Sequence, residues 1–539
     1  MGASSSTEQK VSSERREVEG LAASTGAIRT LQSAFSKLAD PQLNAIPLHS
    51  LQKCFCLSYK NPVCESPGLP DYFTPLLSHL GQSLVDQFFV LDKGGVSWVE
   101  FVKGYLKCCG RMPASLSLNA LLRVVALAAA RAGTRLGLEF ESDDNDCKIS
   151  GSFLPSDVLV VFWICWTMLW DSKTSTLSKG NKNLYLANVS HLVLSAVVSC
   201  AEDGNSLNLW DCDFLGFDVQ LPAGKFLTWV FATVPGLSDC LMQFVNARLE
   251  KLITHEDVLE SSSSPLEEMY PTKAWSNYLL TCGRAWAISL TFRGTISAEI
   301  LKPFFSTDSE GTHESLLYQS SVHGKGLNRF WSKIEGYYGP LLILIAATSR
   351  DTHEHSTKSR KWIIGALTHQ GFENRDLFYG SSGSLYAICP VFHVFSPSGK
   401  EKNFIYSHLH RTGKVYETHP KPVGIAFGGH IGNERIFIDE DFAGVTVRHH
   451  AVDKTYQPGL LVPCQGFVPV EALISEVEVW GFGGKTAKEV QTSYKKREQL
   501  FTEQRRKVDL KAFANWEDSP EKMMMEMMSD SNKVRREDR

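Results

Sequence analysis

At 539 residues the chain is too long for one compact core, so two or three domains are expected. A hydrophobic share of 43% and a charged share of 21% belong to a folding globular chain, and a net charge of -4 gives no electrostatic reason to expect a nucleic-acid partner. None of the 13 cysteines forms a Cys-x-x-Cys of zinc-knuckle spacing, and Met1 to Lys10 lack the apolar core of a secretory signal; free thiols in a reducing compartment, cytosol or nucleus, follow.

Residues 1–25 are rich in Ser, Thr, Glu, Arg and Lys and are expected to be disordered. The start Met1-Gly2-Ala3-Ser4-Ser5-Ser6 matches the N-myristoylation pattern, with Gly2 as the acylated amino terminus and Ser6 at the hydroxyl position. One myristoyl chain binds membrane only marginally, with an association constant of about 10⁴ per molar, so stable residence needs a second contact. Lys10, Arg15 and Arg16 are offset by Glu8, Glu14, Glu17 and Glu19, which favours a protein over anionic lipid for that contact.

From 26 to 252 the periodicity is helical: Ile28, Leu31, Phe35 and Leu38 recur at three and four residues, as do Leu76, Leu77, Leu80, Leu84 and Phe88. The apolar run Val158 to Trp170 would rise only about 20 Å as a helix, short of a hydrocarbon layer of about 30 Å, so it reads as a buried core helix. Val85 to Phe101 has the shape of an EF-hand, with Gly94, Val96 and Glu100 at the glycine, apolar and glutamate positions. Phe89, Leu91 and Lys93 then fall where calcium needs oxygen donors, so a degenerate EF-hand-like unit without calcium is expected. A second such unit is expected between His191 and Val230, around Asp203-Gly204.

Ser261 to Ser264 and Pro265 mark a linker over 253–272. Beyond it short β-rich runs alternate with turn residues: Trp286 to Phe292, Leu341 to Ala346, Trp362 to Leu367, Ser384 to Phe395, Phe404 to Tyr406, Ile425 to Phe427, Arg435 to Ile438 and Val477 to Phe482. They predict an antiparallel β-sandwich over 273–484, making the chain α+β overall. After Gly484, Thr486 and Glu489 have capping-box spacing, and a long exposed helix is expected over 485–515, followed by a disordered tail over 516–539.

Three catalytic look-alikes fail on spacing. Gly380-Ser-Ser-Gly383 is one residue short of a nucleophile elbow, Gly484-Lys485-Thr486 has Val479 where a phosphate loop needs glycine, and Gly424 to Gly432 lacks dinucleotide-binding order. The pairs His353/His355, His408/His410 and His449-His450 could each place two imidazoles together, which is too few for a metal site.

The β-rich region carries Ser315-Leu-Leu-Tyr318, His323-Gly324, Phe330-Trp331, Tyr338-Gly339-Pro340, Ile364-Gly365-Ala366, Phe378-Tyr379-Gly380, Ser384-Leu385-Tyr386, Gly424-Ile-Ala-Phe-Gly428-Gly429, Phe437-Ile-Asp439-Glu-Asp441-Phe442 and Glu478-Val-Trp480-Gly-Phe482. In order and spacing this series is similar to the TLDc domain. The family usually has Ser or Thr where this chain has Lys325, and often a third glycine where it has His430. The resemblance implies a sandwich with flanking helices and a non-enzymatic regulatory or interaction protein, without cofactor, metal or catalytic residue. It implies a partner in the vacuolar proton-pumping ATPase at endolysosomal or vacuolar membranes, and a link to oxidative-stress resistance or growth signalling. The motif positions His323, Gly324, Gly380, Gly428, Gly429, Asp439 and Asp441 are then expected at a partner surface.

Two other readings compete: an enzyme, either a hydrolase or a thiol-based peroxide handler using Cys389 or Cys464, and a nuclear or nucleolar interaction protein led by the basic terminal helix. That helix carries Lys485, Lys488, Lys495, Lys496, Arg497, Arg505, Arg506, Lys507 and Lys511 against Glu489, Glu498, Glu503 and Asp509. Val490, Tyr494, Leu500, Phe501, Val508 and Phe513 are too few for a buried helix but enough to line a groove, so it is expected to be a docking element.

Overall fold

Among the described residues ten α-helices build the first half: α1 (Ala3–Ser24), α2 (Ile28–Leu38), α3 (Leu48–Phe55), α4 (Phe73–Phe88), α5 (Trp98–Cys109), α6 (Ala114–Arg131), α7 (Pro155–Thr174), α8 (Ser190–Cys200), α9 (Ala223–Thr233) and α10 (Cys240–Thr254). The computed structural model describes residues 3–59, 62–64, 68–90, 95–142, 148–174, 184–202, 204, 207, 209–210, 214–254, 277–305, 315–350, 359–409, 420–516, 522 and 524. Gly2, the loop residues 91–94, Asp203 and almost all of the expected linker and tail lie outside the described residues.

Helix α1 corrects the expectation of disorder over 1–25. Val18 and Ala22 lie one turn apart and are buried, a narrow apolar stripe that the polar composition hid. Polar ties hold the helix to α5: Trp98 Nε1 donates to Glu19 at 2.8 Å, and Lys103 pairs with Glu14 at 2.5 Å.

Helices α2 to α9 follow one another in four helix–loop–helix stretches, and α10 packs against α2 and α7. The loop between α2 and α3 meets the loop between α4 and α5 through reciprocal Ile46–Val96 backbone bonds of 2.9 Å each. Four short strands accompany the helices: β1 (Val63–Cys64), β2 (Leu138–Phe140), β3 (Ile149–Phe153) and β4 (Tyr185–Leu186), with β5 (Leu221–Pro222) following α8. Pairing of Phe153 with Leu221 joins the α6–α7 unit to the α8–α9 unit, the latter spanning the stretch His191 to Val230 singled out in the sequence. Glu100, at the expected final ligand position, pairs with Lys103 at 2.8 Å, while its backbone N–H donates to the Ser97 cap. Helix α7 is buried along the run Val158 to Met168, and its Asp171 anchors α10 through Arg248 and Lys251, both at 2.9 Å. Helix α6 is long and apolar enough to cross a membrane, yet Leu118 to Val125 are buried in this core.

The expected strand Trp286 to Phe292 is instead helix α11 (Cys282–Ser289), capped by Thr281 and followed by α12 (Thr295–Phe305). A continuous apolar run does not distinguish a buried helix from a buried strand. Trp286 packs edge-on against Trp166 and Phe162 of α7.

The second half is one antiparallel sheet of strands β6 (Leu316–Gln319), β7 (Leu341–Arg350), β8 (Ser359–Thr368), β9 (Arg375–Tyr379), β10 (Gly383–Cys389), β11 (His393–Phe395), β12 (Ile405–His408), β13 (Gly424–His430), β14 (Asn433–Asp439), β15 (Gly444–Val447) and β16 (Val470–Gly481). The order is β11-β10-β8-β7-β16-β15-β14-β13-β12-β9, with β6 also on β16. The sheet curls so that Ile343, Ile345 and Ile364 share one core with Phe427, Ile436 and Val447; the expected sandwich takes the form of a single sheet curled over its own inner face. On the outer face Leu342, Leu344, Tyr386, Ile388 and Trp480 join the core of the helical half. Short helices α13 (Ser320–His323) and α14 (Leu327–Ile334) flank the sheet, and α15 (Gly484–Trp516) ends the described fold. Because α15 already begins at Gly484, Thr486 lies inside its first turn and is not its N-cap.

Candidate partner-binding surface

The motif residues fall into two groups at opposite ends of the β13–β14 hairpin, whereas the sequence suggested one surface. Gly424 pairs with Asp439 at one end and Gly429 with Glu434 near the other, and a strand of this length spans roughly 20 Å.

At the first end, His323 Nδ1 accepts from the Gln319 N–H at 3.0 Å and the ring stacks on Tyr318, whose hydroxyl donates to Gly324 O at 2.7 Å. Burial pushes the His323 pKa down, with Lys333 adding to the effect. The Leu327 N–H donates to Glu440 O at 2.8 Å, bringing this loop to the β14–β15 turn. Asp439 builds that turn, accepting from the Ala443 and Gly444 N–H groups at 2.8 Å each, while Asp441 is exposed. Lys325, a departure from the family pattern, donates to Ile474 O at 2.7 Å and ties the loop to β16.

At the other end Gly429, at φ +76°, borders a cleft of about 770 Å³. A Cβ at Gly429 would run into the Asn433 carbonyl and the His450 ring, so only glycine fits. Gly428 packs on Tyr456, and Gly380 on Phe404, whose carbonyl accepts from the Tyr456 hydroxyl at 3.2 Å. Beneath the cleft Arg435 and Asp453 form a fully buried pair at 2.9 Å; Asp453 also accepts from Thr455 N and Tyr456 N. Arg448 pairs with Glu434 at 3.3 Å and Lys454 with Glu401 at 3.1 Å. His449 stacks on Phe467, which is 80% exposed, and burial holds the His450 pKa down although Asp453 pulls it up. The cleft's charges answer one another, and Val452 and Phe467 of its lining are exposed. The sequence marked His449-His450 only as a metal candidate, and among the described residues no group of three possible ligands could hold a metal. His410, His353 and His355 lie outside the described residues. Burial raises the Cys389 pKa, which works against a reactive thiolate there.

Helix α15 has two parts. In its first turns Ala487 and Gln491 are buried, Gln491 Nε2 donates to Lys333 O at 2.8 Å, Lys495 Nζ reaches the same carbonyl at 3.0 Å, and Tyr494 donates to Glu335 at 3.1 Å. The Gln491 and Lys495 bonds satisfy the Lys333 carbonyl, in the last turn of α14, where a helix leaves carbonyls without internal partners, while Tyr494 binds the Glu335 carboxylate. From Lys496 to Lys507 every residue is exposed, Leu500 by 59% and Phe501 by 62%. That part presents Lys496, Arg497, Arg505, Arg506 and Lys507 against Glu498 and Glu503; the side chains of Val508, Lys511 and Phe513 lie outside the described residues.

The curled sheet and its flanking helices define a TLDc domain: the TLDc family model matches residues 295–483. The match ends one residue before the expected boundary at 484 and begins after α11, which packs with the helical half. A comparison with curated proteins finds no sequence match to the chain.

Proposed function

We propose that this chain is a non-enzymatic regulatory and interaction protein that docks on the vacuolar proton-pumping ATPase through the exposed part of α15, at an endolysosomal or vacuolar membrane. The observation that carries this reading is the exposed basic segment Lys496 to Lys507, held out by an anchored first half and presenting Leu500 and Phe501 beside its cations. Such a helix suits an acidic groove with apolar pockets. Myristate on Gly2 would raise the local concentration at the membrane. The paired helix–loop–helix units act as an EF-hand-like scaffold that requires no calcium. In layout the chain is similar to the mTOR-associated lysosomal TLDc protein, and the TLDc family is often linked to oxidative-stress resistance.

One experiment tests both contacts: expression of the full chain, of Gly2→Ala and of a truncation after Lys495, with membrane fractionation and co-purification of the pump. Gly2→Ala should move protein to the soluble fraction, and the truncation should lose the pump while staying folded. A truncated chain that co-purifies as well as the full chain contradicts the docking role.

A further inference from the structure

The carboxylates of the cleft beside Gly429 are spent within the fold, while several of its hydrogen-bond donors are not. Glu401 accepts from Lys454 at 3.1 Å and from Asn403 Nδ2 at 3.2 Å, Glu434 from the Gly432 N–H at 2.6 Å and from Arg448, and Asp453 from Arg435 and two backbone amides. Arg448 uses only Nη1 in this, so its Nε and Nη2 have no acceptor among the described residues. The exposed side chains of His430 and Asn433 in the lining have none either, and His450 Nε2 and Thr455 Oγ1 are buried in the wall without a partner. Lys400 and Lys402, which flank Glu401, are exposed and add two cations that no acid among the described residues answers. Around these donors Val452, Phe467 and Val468 are 79%, 80% and 75% exposed. They are held out by the fold: Gln465 Nε2 donates to Val447 O at 2.8 Å, His449 stacks on Phe467 at 5.3 Å, and the buried Arg435–Asp453 pair fixes the loop that carries Val452.

We propose that this cleft takes the phosphate monoester of an inositol-lipid headgroup, at a membrane whose apolar boundary receives Val452, Phe467 and Val468. A phosphate monoester carries about 1.5 to 2 negative charges and three acceptor oxygens, which suits several unspent donors better than the single charge of a carboxylate or a phosphodiester. Apolar side chains that project this far need either a partner with pockets shaped for them or a fluid apolar layer, and a membrane boundary supplies the second without shape complementarity. Unpaired lysines beside them add the attraction that anionic lipid exerts on cations near its surface. The site supplies a second membrane contact beside Gly2, yet it rests neither on acylation nor on what α15 binds.

Vesicle sedimentation of the full chain, made without myristate and with no pump present, tests this apart from the docking of α15. Phosphatidylcholine vesicles carrying phosphatidylinositol phosphate should bind at least about tenfold more tightly than vesicles of equal surface charge carrying phosphatidylserine. Arg448→Gln should erase that preference. His430→Ala with Asn433→Ala, at exposed side chains that bind nothing in the described fold, should do the same, which keeps the test usable if the first variant folds poorly. Phe467→Ser with Val468→Ser should weaken vesicle binding by about tenfold and leave the binding of soluble inositol phosphate unchanged, because only the membrane contact is lost. Equal binding to both kinds of vesicle, or binding to neither, would overturn the proposal. Soluble inositol phosphate bound as tightly as the vesicles would overturn it in favour of a free phosphate ligand, and an acidic peptide that occupies the cleft where vesicles do not would overturn it in favour of a protein partner.

Discussion

Strand β16 contains two kinds of β-structure in one segment. Beside β15, residues 471–475 alternate: Glu471, Leu473 and Ser475 are exposed, Ala472 and Ile474 buried. After the bulge between Ile474 and Glu476, residues 477–481 are buried on both faces, with Val477 and Val479 in the sheet's inner core and Trp480 in the core of the helical half. The difference shows what the helical half does for the TLDc domain: it supplies a second core for the outer face of one part of the sheet, which includes β7, β8, β10 and the end of β16.

The sharpest way to break this comparison is substitution on the outer face of each part. Trp480→Ala should cost about 3–5 kcal/mol in urea unfolding, because a fully buried indole leaves a cavity. Leu473→Ala, at a side chain 69% exposed, should stay within about 0.5 kcal/mol. Similar costs at the two sites would contradict the division of β16.

A smaller effect separates the two parts of α15. Cutting after Gly484 removes the hydrogen bonds of Gln491, Tyr494 and Lys495 and should cost about 1–3 kcal/mol. Cutting after Lys495 should leave thermal stability unchanged. Equal losses would mean that the exposed part contributes to the fold.

The same distinction explains what the sequence made legible. Leu341 to Ala346 stands out because a strand buried on both faces is written as a continuous apolar run, and Val477 to Phe482 is one too but for Glu478. Val470 to Glu476 and β15 passed unnoticed because their polar alternates reach solvent, and the exposed edge strand β9, Arg375 to Tyr379, was lost in charge. Trp286 to Phe292 was misread since its all-round burial leaves no period to measure. The glycine positions were legible as motif, but their division between two ends of a hairpin was not: it depends on β13–β14 register. The Arg435–Asp453 pair joins residues 18 apart, and the buried Glu478 accepts from the Leu279 and Leu280 amides far upstream; no spacing announces either.

The central claim is that the exposed part of α15 recognises its partner by charge. The most direct measurement is the affinity of the full chain for purified vacuolar ATPase at about 0.05 M and about 0.3 M salt, beside a variant with Arg505, Arg506 and Lys507 each changed to Glu. The account predicts wild-type binding that weakens steeply with salt, and a variant at least about tenfold weaker at low salt with little salt dependence left. A variant that binds as tightly as the wild type, with the same response to salt, would contradict it.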